Sequence, residues 1–276
     1  MKRVAIFCVN YNTYDRLLLY CRSVDRAALC AKDSVLVHLF ITDNTRPSPL
    51  PFNFTPTNIS LRLASGGKNL GYLGGIQYMM RLTPDLSSYD YIILSNVDLT
   101  LEPDALLRLV ASPVDPTVGW IAPSIISGLS GTDRNPALLQ RYSKARLRTL
   151  LFMFSVPPLM TLYKRTLYRR HYRPRPSYPA GTVVYAGHGS FMILTRAYLS
   201  HCGIPNFTPF LFCEELYFAE LCRQAGLKVV YRPDIRINDQ EHASVGRLPR
   251  ASLYRYNRQA LRFILRSFYS CPPSLP

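Results

Sequence analysis

Short apolar runs recur through the first part of the chain, and each stops abruptly at a polar cluster. Val4 to Val9 ends at Asn10-Tyr11-Asn12, Val35 to Ile41 at Thr42-Asp43-Asn44, and Tyr91 to Leu94 at Ser95-Asn96-Val97-Asp98. Runs of this length without polar alternation predict strands buried on both faces of a parallel sheet. Between the first two, Leu17, Leu18, Cys21, Val24 and Ala28 recur at helical spacing and predict a helix over Tyr14 to Leu29. Ile59 to Leu63 predicts a short third strand and Ile76 to Leu82 a helix. Pro103 sits in the first turn of a helix reaching Val110, where its missing N–H costs little. Strands alternating with helices predict an α/β fold around a Rossmann-like, doubly wound sheet. Ligands of such sheets bind beyond the carboxyl ends of the strands, and the clusters at Asn10, Asp43 and Asp98 all fall there.

Past residue 115 the pattern is less regular. Val183 to Leu194 reads as a strand pair broken at Gly187-His188-Gly189, Glu214 to Ala225 as a helix and Lys228 to Tyr231 as a strand. Arg141 to Arg175 and Leu253 to Phe268 interleave cations with aromatic and aliphatic residues. The uncharged run from Thr149 to Tyr163 has 15 residues. That is short of the roughly 20 needed to span a bilayer, and Pro157-Pro158 interrupts it, so it is expected to be buried or to dip into a surface. These shifts divide the chain into 1–115, 116–245 and a basic amphipathic tail, 246–276.

Hydrophobic residues make up 48% of the 276 positions and charged residues 18%, enough for a core and too few charges for a disordered chain. The net charge of +16 favours phosphates, nucleic acid or an anionic membrane face as partners. The seven cysteines are scattered with no Cys-x-x-Cys pair, which argues against a disulfide framework or zinc ribbon and for a reducing cytoplasm. No signal peptide is expected, because Met1-Lys2-Arg3 leads directly into the first strand.

Several residues carry candidate chemistry. Asp98, just past a buried strand, suits a divalent cation that neutralises a departing diphosphate, although a helix-capping or turn Asp has the same sequence appearance. Glu214-Glu215 opens a helix after the aromatic Phe207, Phe210 and Phe212, a place for a general base or for ordinary first-turn acids that favour the helix dipole. His242 is a candidate second metal ligand or a plain surface residue. The Gly-rich segment Gly66 to Gly75 permits close backbone approach to a ligand, but it is neither a Walker A loop nor a dinucleotide fingerprint. The basic-aromatic stretches fit nucleic-acid phosphates with stacked bases, an anionic bilayer, or in part a solvated face. No RNP aromatics, zinc spacing or helix-turn-helix accompany them, so nucleic acid is not the expected partner.

Taken in order, these segments resemble glycosyltransferase family 2, in particular its rhamnosyltransferase-like bacterial members. Val9-Asn10-Tyr11-Asn12 and Ile41-Thr42-Asp43-Asn44 look like the family's two nucleotide-binding loops. Asn69-Leu70-Gly71-Tyr72-Leu73-Gly74-Gly75 is similar to its Asn-Leu-Gly-Phe-x-Gly-Gly segment, and Leu94-Ser95-Asn96-Val97-Asp98 to the Asn-Pro-Asp form of its DxD motif. Ala186 to Met192 resembles the acceptor-side strand, and Phe210-Leu211-Phe212-Cys213-Glu214-Glu215 the segment with the catalytic acids. Leu221 to Gly226, Tyr231 to Asp234, and Tyr254-Arg255-Tyr256-Asn257-Arg258 continue the pattern, which spans residues 4 to 260.

The resemblance implies a GT-A fold: a mixed, mostly parallel sheet flanked by helices, with a basic helical C-terminal extension. It makes 1–115 the nucleotide-sugar half and 116–245 the acceptor half. Asn10, Tyr11, Asn12, Asp43, Asn69, Gly71, Gly75 and Asn96 would bind the nucleotide sugar. Asp98 and His242 would hold Mg²⁺ or Mn²⁺, and Glu215 would be the base, with Glu214 beside it. The implied enzyme is a metal-dependent, inverting hexosyltransferase that uses dTDP-rhamnose or a UDP-sugar. Its acceptor would be a lipid-linked saccharide of cell-surface polysaccharide biosynthesis, and its place the cytoplasm, peripheral to the inner face of an anionic cell membrane. The chain departs from the pattern with Glu215 where Asp is usual, Tyr217 where Asp is usual, and Cys202-Gly203-Ile204-Pro205 for Gly-Gly-Phe-Asp. An inactive GT-A-fold binding protein and a nucleic-acid-binding protein are the alternative readings.

Overall fold

A computed structural model of the chain describes residues 1–45, 52–156, 177–240 and 248–270. The first stretch alternates as expected: β1 (Lys2–Asn10), α1 (Tyr14–Cys30), β2 (Val35–Asp43), β3 (Ser60–Ser65), α2 (Tyr72–Leu82) and β4 (Tyr91–Ser95). It continues with β5 (Leu99–Leu101), α3 (Ala105–Val110), β6 (Val118–Ser127) and α4 (Lys144–Ser155). Then come β7 (Val183–Val184), β8 (Phe191–Thr195), α5 (Arg196–Cys202), α6 (Glu214–Gln224), β9 (Lys228–Asp239) and α7 (Arg250–Tyr269).

The described strands form one sheet in the order β3-β2-β1-β4-β8-β6-β9-β5, with β7 on β9. β1 pairs in parallel with β2 and β4, β2 with β3, and β6 with β9. β8 runs antiparallel to both of its neighbours, β4 and β6, so the sheet is mixed. Val183 to Leu194 is therefore no hairpin: its first part pairs with β9 and its second with β4 and β6. The reversal matters for function. Phe191 at the start of β8 lies opposite Ser95 at the end of β4. The segment before β8 thus reaches the same edge of the sheet as the ends of the parallel strands.

The period-2 alternation of β1 divides the core. Ala5 and Phe7 face one side with α2, α5, α6 and α7, while Val4, Ile6 and Cys8 face the other with α1 and α3. On α1 the buried residues Leu17, Tyr20, Cys21, Val24, Ala27 and Ala28 recur at the spacing of one helix face. Each large side chain so buried contributes roughly 1.5–3 kcal/mol by leaving water. β6 is apolar but carries Gly119 and Pro123, and its register against β9 slips at Pro123/Ser124, which obscures it as a strand in the sequence.

One buried carboxylate ties the second half together. Glu220 of α6 is wholly buried and accepts from Arg141 Nε at 2.6 Å, Tyr185 Oη at 2.6 Å and Arg223 Nε at 2.9 Å, while Tyr269 Oη, 3.2 Å away, shares its one hydrogen with the Tyr142 carbonyl at 2.8 Å. Burial pushes its pKa up, but the bonds from Arg141, Tyr185 and Arg223 more than offset this and hold it below the usual carboxylate range. The described part of the run Thr149 to Tyr163 lies on α4 and beyond its end, with Phe152 exposed. No helix among the described residues is long and apolar enough to cross a membrane.

Candidate active site

The first two strand ends interlock. Asn10, fully buried at the end of β1, donates its amide to Asp43 Oδ1 at 3.1 Å. Asp43 also accepts from Thr45 N at 3.0 Å and Tyr14 Oη at 2.6 Å. Its carboxylate is buried and engaged on both oxygens, so in this arrangement it fixes the loop rather than offering a free oxygen. Tyr11 is 41% exposed beyond the strand, and Asn12 has a left-handed backbone held by its N–H to Thr45 Oγ1 at 3.0 Å.

The Gly-rich segment is stitched to this frame. Asn44 Nδ2 donates to the Gly71 carbonyl at 3.0 Å and to Asn69 Oδ1 at 3.3 Å. Asn69 Oδ1 also accepts from Gly71 N at 3.0 Å, and the Gly75 carbonyl accepts from Thr42 Oγ1 at 2.8 Å. Gly71 has φ +75, and its backbone abuts Phe210, in the stretch that leads to the glutamate pair. α2 begins at Tyr72, four residues before its apolar pattern suggests, because the turn at Gly71 starts the helix directly.

A cavity of about 340 Å³ opens at this edge of the sheet, lined by Tyr72, Asn96, Leu138, Tyr142, His188, Gly189, Ser190, Phe212, Glu214 and Glu215 among others. The reversal of β8 builds one wall, and Asn96 N–H donates to the Ser190 carbonyl at 2.8 Å. Gly187 passes so close to β6 that a β-carbon there would lie 2.7 Å from Ala122 Cβ and 2.9 Å from Trp120 Cζ2. His188 follows, its N–H bonded to the buried Asn135 Oδ1 at 2.7 Å and its Nδ1 2.8 Å from Ser190 Oγ. His188, Ser190 and Tyr142 are cavity residues that site reasoning from the sequence does not single out. The Gly-His-Gly break in an apolar run was the available signal.

The opposite wall is the start of α6. Phe212 and Cys213 both have left-handed backbones, at φ 76 and φ 63. Two such residues in succession, neither of them glycine, carry on the order of 1–3 kcal/mol of strain each, a feature that clusters at functional sites. They turn Glu214 and Glu215 to the cavity. Glu214 is buried and its Oε1 accepts from Phe212 N at 2.9 Å. Burial, then the neighbouring Glu215, raise its pKa to about 8, so it holds a proton at neutral pH. Burial also raises Glu215, the more exposed of the two, which stands beside Gly189. Tyr217 does not line the cavity. Its ring packs 5.1 Å from Phe207 and 5.9 Å from Phe268, and its hydroxyl accepts from Asn206 N at 2.8 Å.

Tyr72 links the two carboxylate regions. Its hydroxyl donates to the Gly189 carbonyl at 3.3 Å. Burial first, then Glu214, Cys8 and Asp98, push its phenol pKa well up. Asp98 is partly exposed where β4 passes into β5, and its carbonyl accepts from Gln240 N at 2.9 Å. His242 lies outside the described residues. Among the described residues no group of three His, Cys, Asp or Glu side chains is placed to hold a metal. A partly exposed single carboxylate still fits a hard cation of the Mg²⁺ kind, which takes one or two carboxylates and completes its shell with substrate phosphates and water. A larger hollow of about 610 Å³ lies at the other end of β1, where Asp90 pairs with Lys2 at 3.1 Å and with Arg196 at 3.0 Å.

No protein-family model and no curated protein sequence matches the chain. Solved structures match it in fold. GalNAc-T7 with UDP, GalNAc and Mn²⁺ superposes with a TM-score of 0.55 at 12% identity, over 90% of this chain and 45% of that one. S. aureus TarS 1-349 gives 0.52 at 10% identity, over 98% and 73%. A second S. aureus TarS structure gives 0.53 at 9% identity, over 87% and 37%. The chain thus spans less than half of the GalNAc-T7 chain and of the second TarS chain. What these likenesses establish is architecture: the chain has the GT-A glycosyltransferase fold.

Proposed function

We propose that the chain is a metal-dependent, inverting hexosyltransferase of the family 2 kind. The donor is a nucleotide sugar, dTDP-rhamnose first and a UDP-sugar second, and the acceptor a lipid-linked saccharide of cell-surface polysaccharide biosynthesis at the inner face of the cell membrane. The observation that carries this reading is the glutamate pair on a strained turn, facing Tyr72 and Asn96 across one cavity at the sheet edge that bears Asp98.

The division of labour follows from the environments of the two acids. Glu214 keeps its proton, so the charge of the pair rests on Glu215, the more exposed member. Glu215 takes the proton of an acceptor hydroxyl. That oxygen attacks the anomeric carbon, the bond from carbon to the diphosphate breaks, and its electron pair leaves on the diphosphate with inversion at carbon. Asp98, and on the family pattern His242, would hold Mg²⁺ or Mn²⁺, whose charge would offset that of the departing diphosphate. Asn96 and the frame of Asn10, Tyr11, Asn12, Asp43, Asn69, Gly71 and Gly75 seat the nucleotide. On this view residues 1–115 serve the donor, 116–245 the acceptor, and 246–276 the basic extension.

The test is thermal shift against dTDP, UDP and GDP, each with and without Mn²⁺, because a ligand that binds only the native state raises its stability. A melting point that rises only when one nucleotide and Mn²⁺ are both present is expected. No rise with any of the three would overturn the reading.

A further inference from the structure

Two neighbouring helices beside the cavity carry cations and no acidic residue. α4 bears Lys144, Arg146 and Arg148, and α7 bears Arg250, Arg255, Arg258, Arg262 and Arg266. They pack together, with the Phe154 and Tyr254 rings 6.1 Å apart. Ala260, Leu261 and Ile264 anchor the inner face of α7 in the core. Arg255, Arg262 and Arg266 are exposed on the other face, at helical spacing that stacks them in one stripe. None of these cations is ion-paired among the described residues.

A solvated helix face ordinarily mixes signs and pairs them one turn apart. Here the like charges stand unrelieved in a chain that already carries +16. Phe152 is 59% exposed on α4, one turn from Arg148, which sets an apolar ring among cations as on helices that lie in a bilayer interface. Gln259 stands between the arginines of the α7 stripe, no aromatic residue is among the exposed positions of α7, and the half-buried Tyr256 ring is already covered by the Arg255 guanidinium, 4.9 Å from its centroid. α7 is fixed beside the cavity, and α4 begins two residues after the cavity residue Tyr142. The Tyr256 ring lies 4.8 Å from Phe210, ahead of the glutamates, and Tyr269 Oη donates to the carbonyl of the cavity residue Tyr142 at 2.8 Å.

We propose that α4 and α7 form a docking face for an anionic bilayer, which brings the cavity to an acceptor whose lipid stays in the membrane. The acceptor clause rests on the transferase reading; the docking itself does not.

The experiment is sedimentation of the full chain with vesicles of phosphatidylcholine alone and with about one-third phosphatidylglycerol, at about 0.15 M salt. Binding to the anionic vesicles only is expected. Arg255→Gln, Arg262→Gln and Arg266→Gln together should weaken it about 100-fold, since each cation near such a surface is worth about fivefold. Phe152→Ser should weaken it most at high salt, where the charges are screened and apolar insertion remains. Melting curves and the nucleotide-induced shift should match the parent in both variants. Failure of the parent to bind anionic vesicles, or equal binding by the triple variant, overturns the docking face. So does loss in that variant of RNA or DNA binding when vesicles bind neither protein. Vesicle binding without any nucleotide-induced shift would sink the transferase reading and leave the docking face standing.

Discussion

A β-carbon placed on Gly71 would stand 2.1 Å from the carbonyl oxygen of Phe210. The glycine that starts α2 and the residue that begins the turn into the glutamate pair are thus in contact without room for a methyl group. The Gly-rich segment and the segment that leads into α6 are registered against each other at that point.

The first prediction follows. Gly71→Ala adds both this clash and a side chain at φ +75, where only glycine is comfortable. A loss of about 2–3 kcal/mol in urea unfolding is expected. A variant as stable as the parent would show that the two segments are free to separate.

Glu214 makes stability depend on pH. Its folded pKa of about 8 lies above the unfolded value of 4.5, so the native state holds an extra proton between the two. Stability from this group is therefore complete below pH 4.5, falls as pH rises, and levels off above about pH 8. Glu214→Gln removes that fall. Its stability relative to the parent should be greater at pH 8 than at pH 5 by about 3 kcal/mol. Parallel stability profiles would mean that Glu214 is not protonated in the fold.

The roles assigned to Glu215 and Asp98 separate cleanly. Glu215→Gln should lower transfer at least about 100-fold while nucleotide and Mn²⁺ still raise the melting point. Asp98→Ala should abolish the Mn²⁺-dependent part of that rise. Retained turnover in Glu215→Gln would move the base elsewhere.

Tyr72 offers a finer test, because its hydroxyl makes one long bond, to Gly189, while the ring packs on the core. Tyr72→Phe should change stability by less than about 1 kcal/mol and lower kcat about tenfold or more, as loss of a donor in a reacting cavity does. An unchanged kcat would reduce Tyr72 to packing.

The elements of the first half are legible in the sequence because β1, β2 and β4 are nearly uninterrupted apolar runs whose ends are polar. The sheet's mixed character is not. Nothing local in Phe191 to Thr195 distinguishes a strand running against its neighbours from one running with them, since the direction is set by which edge the chain returns to. β6 was hidden by Gly119 and Pro123, and β5 by its three-residue length. Asn10 and Asp43 were found as polar strand ends, but their mutual bond is a long-range pairing that spacing does not reveal. The strain at Phe212 and Cys213 was likewise invisible, because neither residue type advertises a left-handed backbone. Tyr217, which stands where the family pattern has Asp after the glutamate pair, is accounted for by its aromatic neighbours Phe207 and Phe268.

The clasp on Glu220 has a consequence for the order of events during synthesis. Its partners come from positions 141, 185, 223 and 269, so the last hydroxyl arrives only when nearly the whole described chain has left the ribosome. Until then a nascent chain carries an anionic side chain in a half-covered helix, held by Arg141, Tyr185 and Arg223 alone. Closure around Glu220 is thereby deferred until Tyr269 has been made and has folded back.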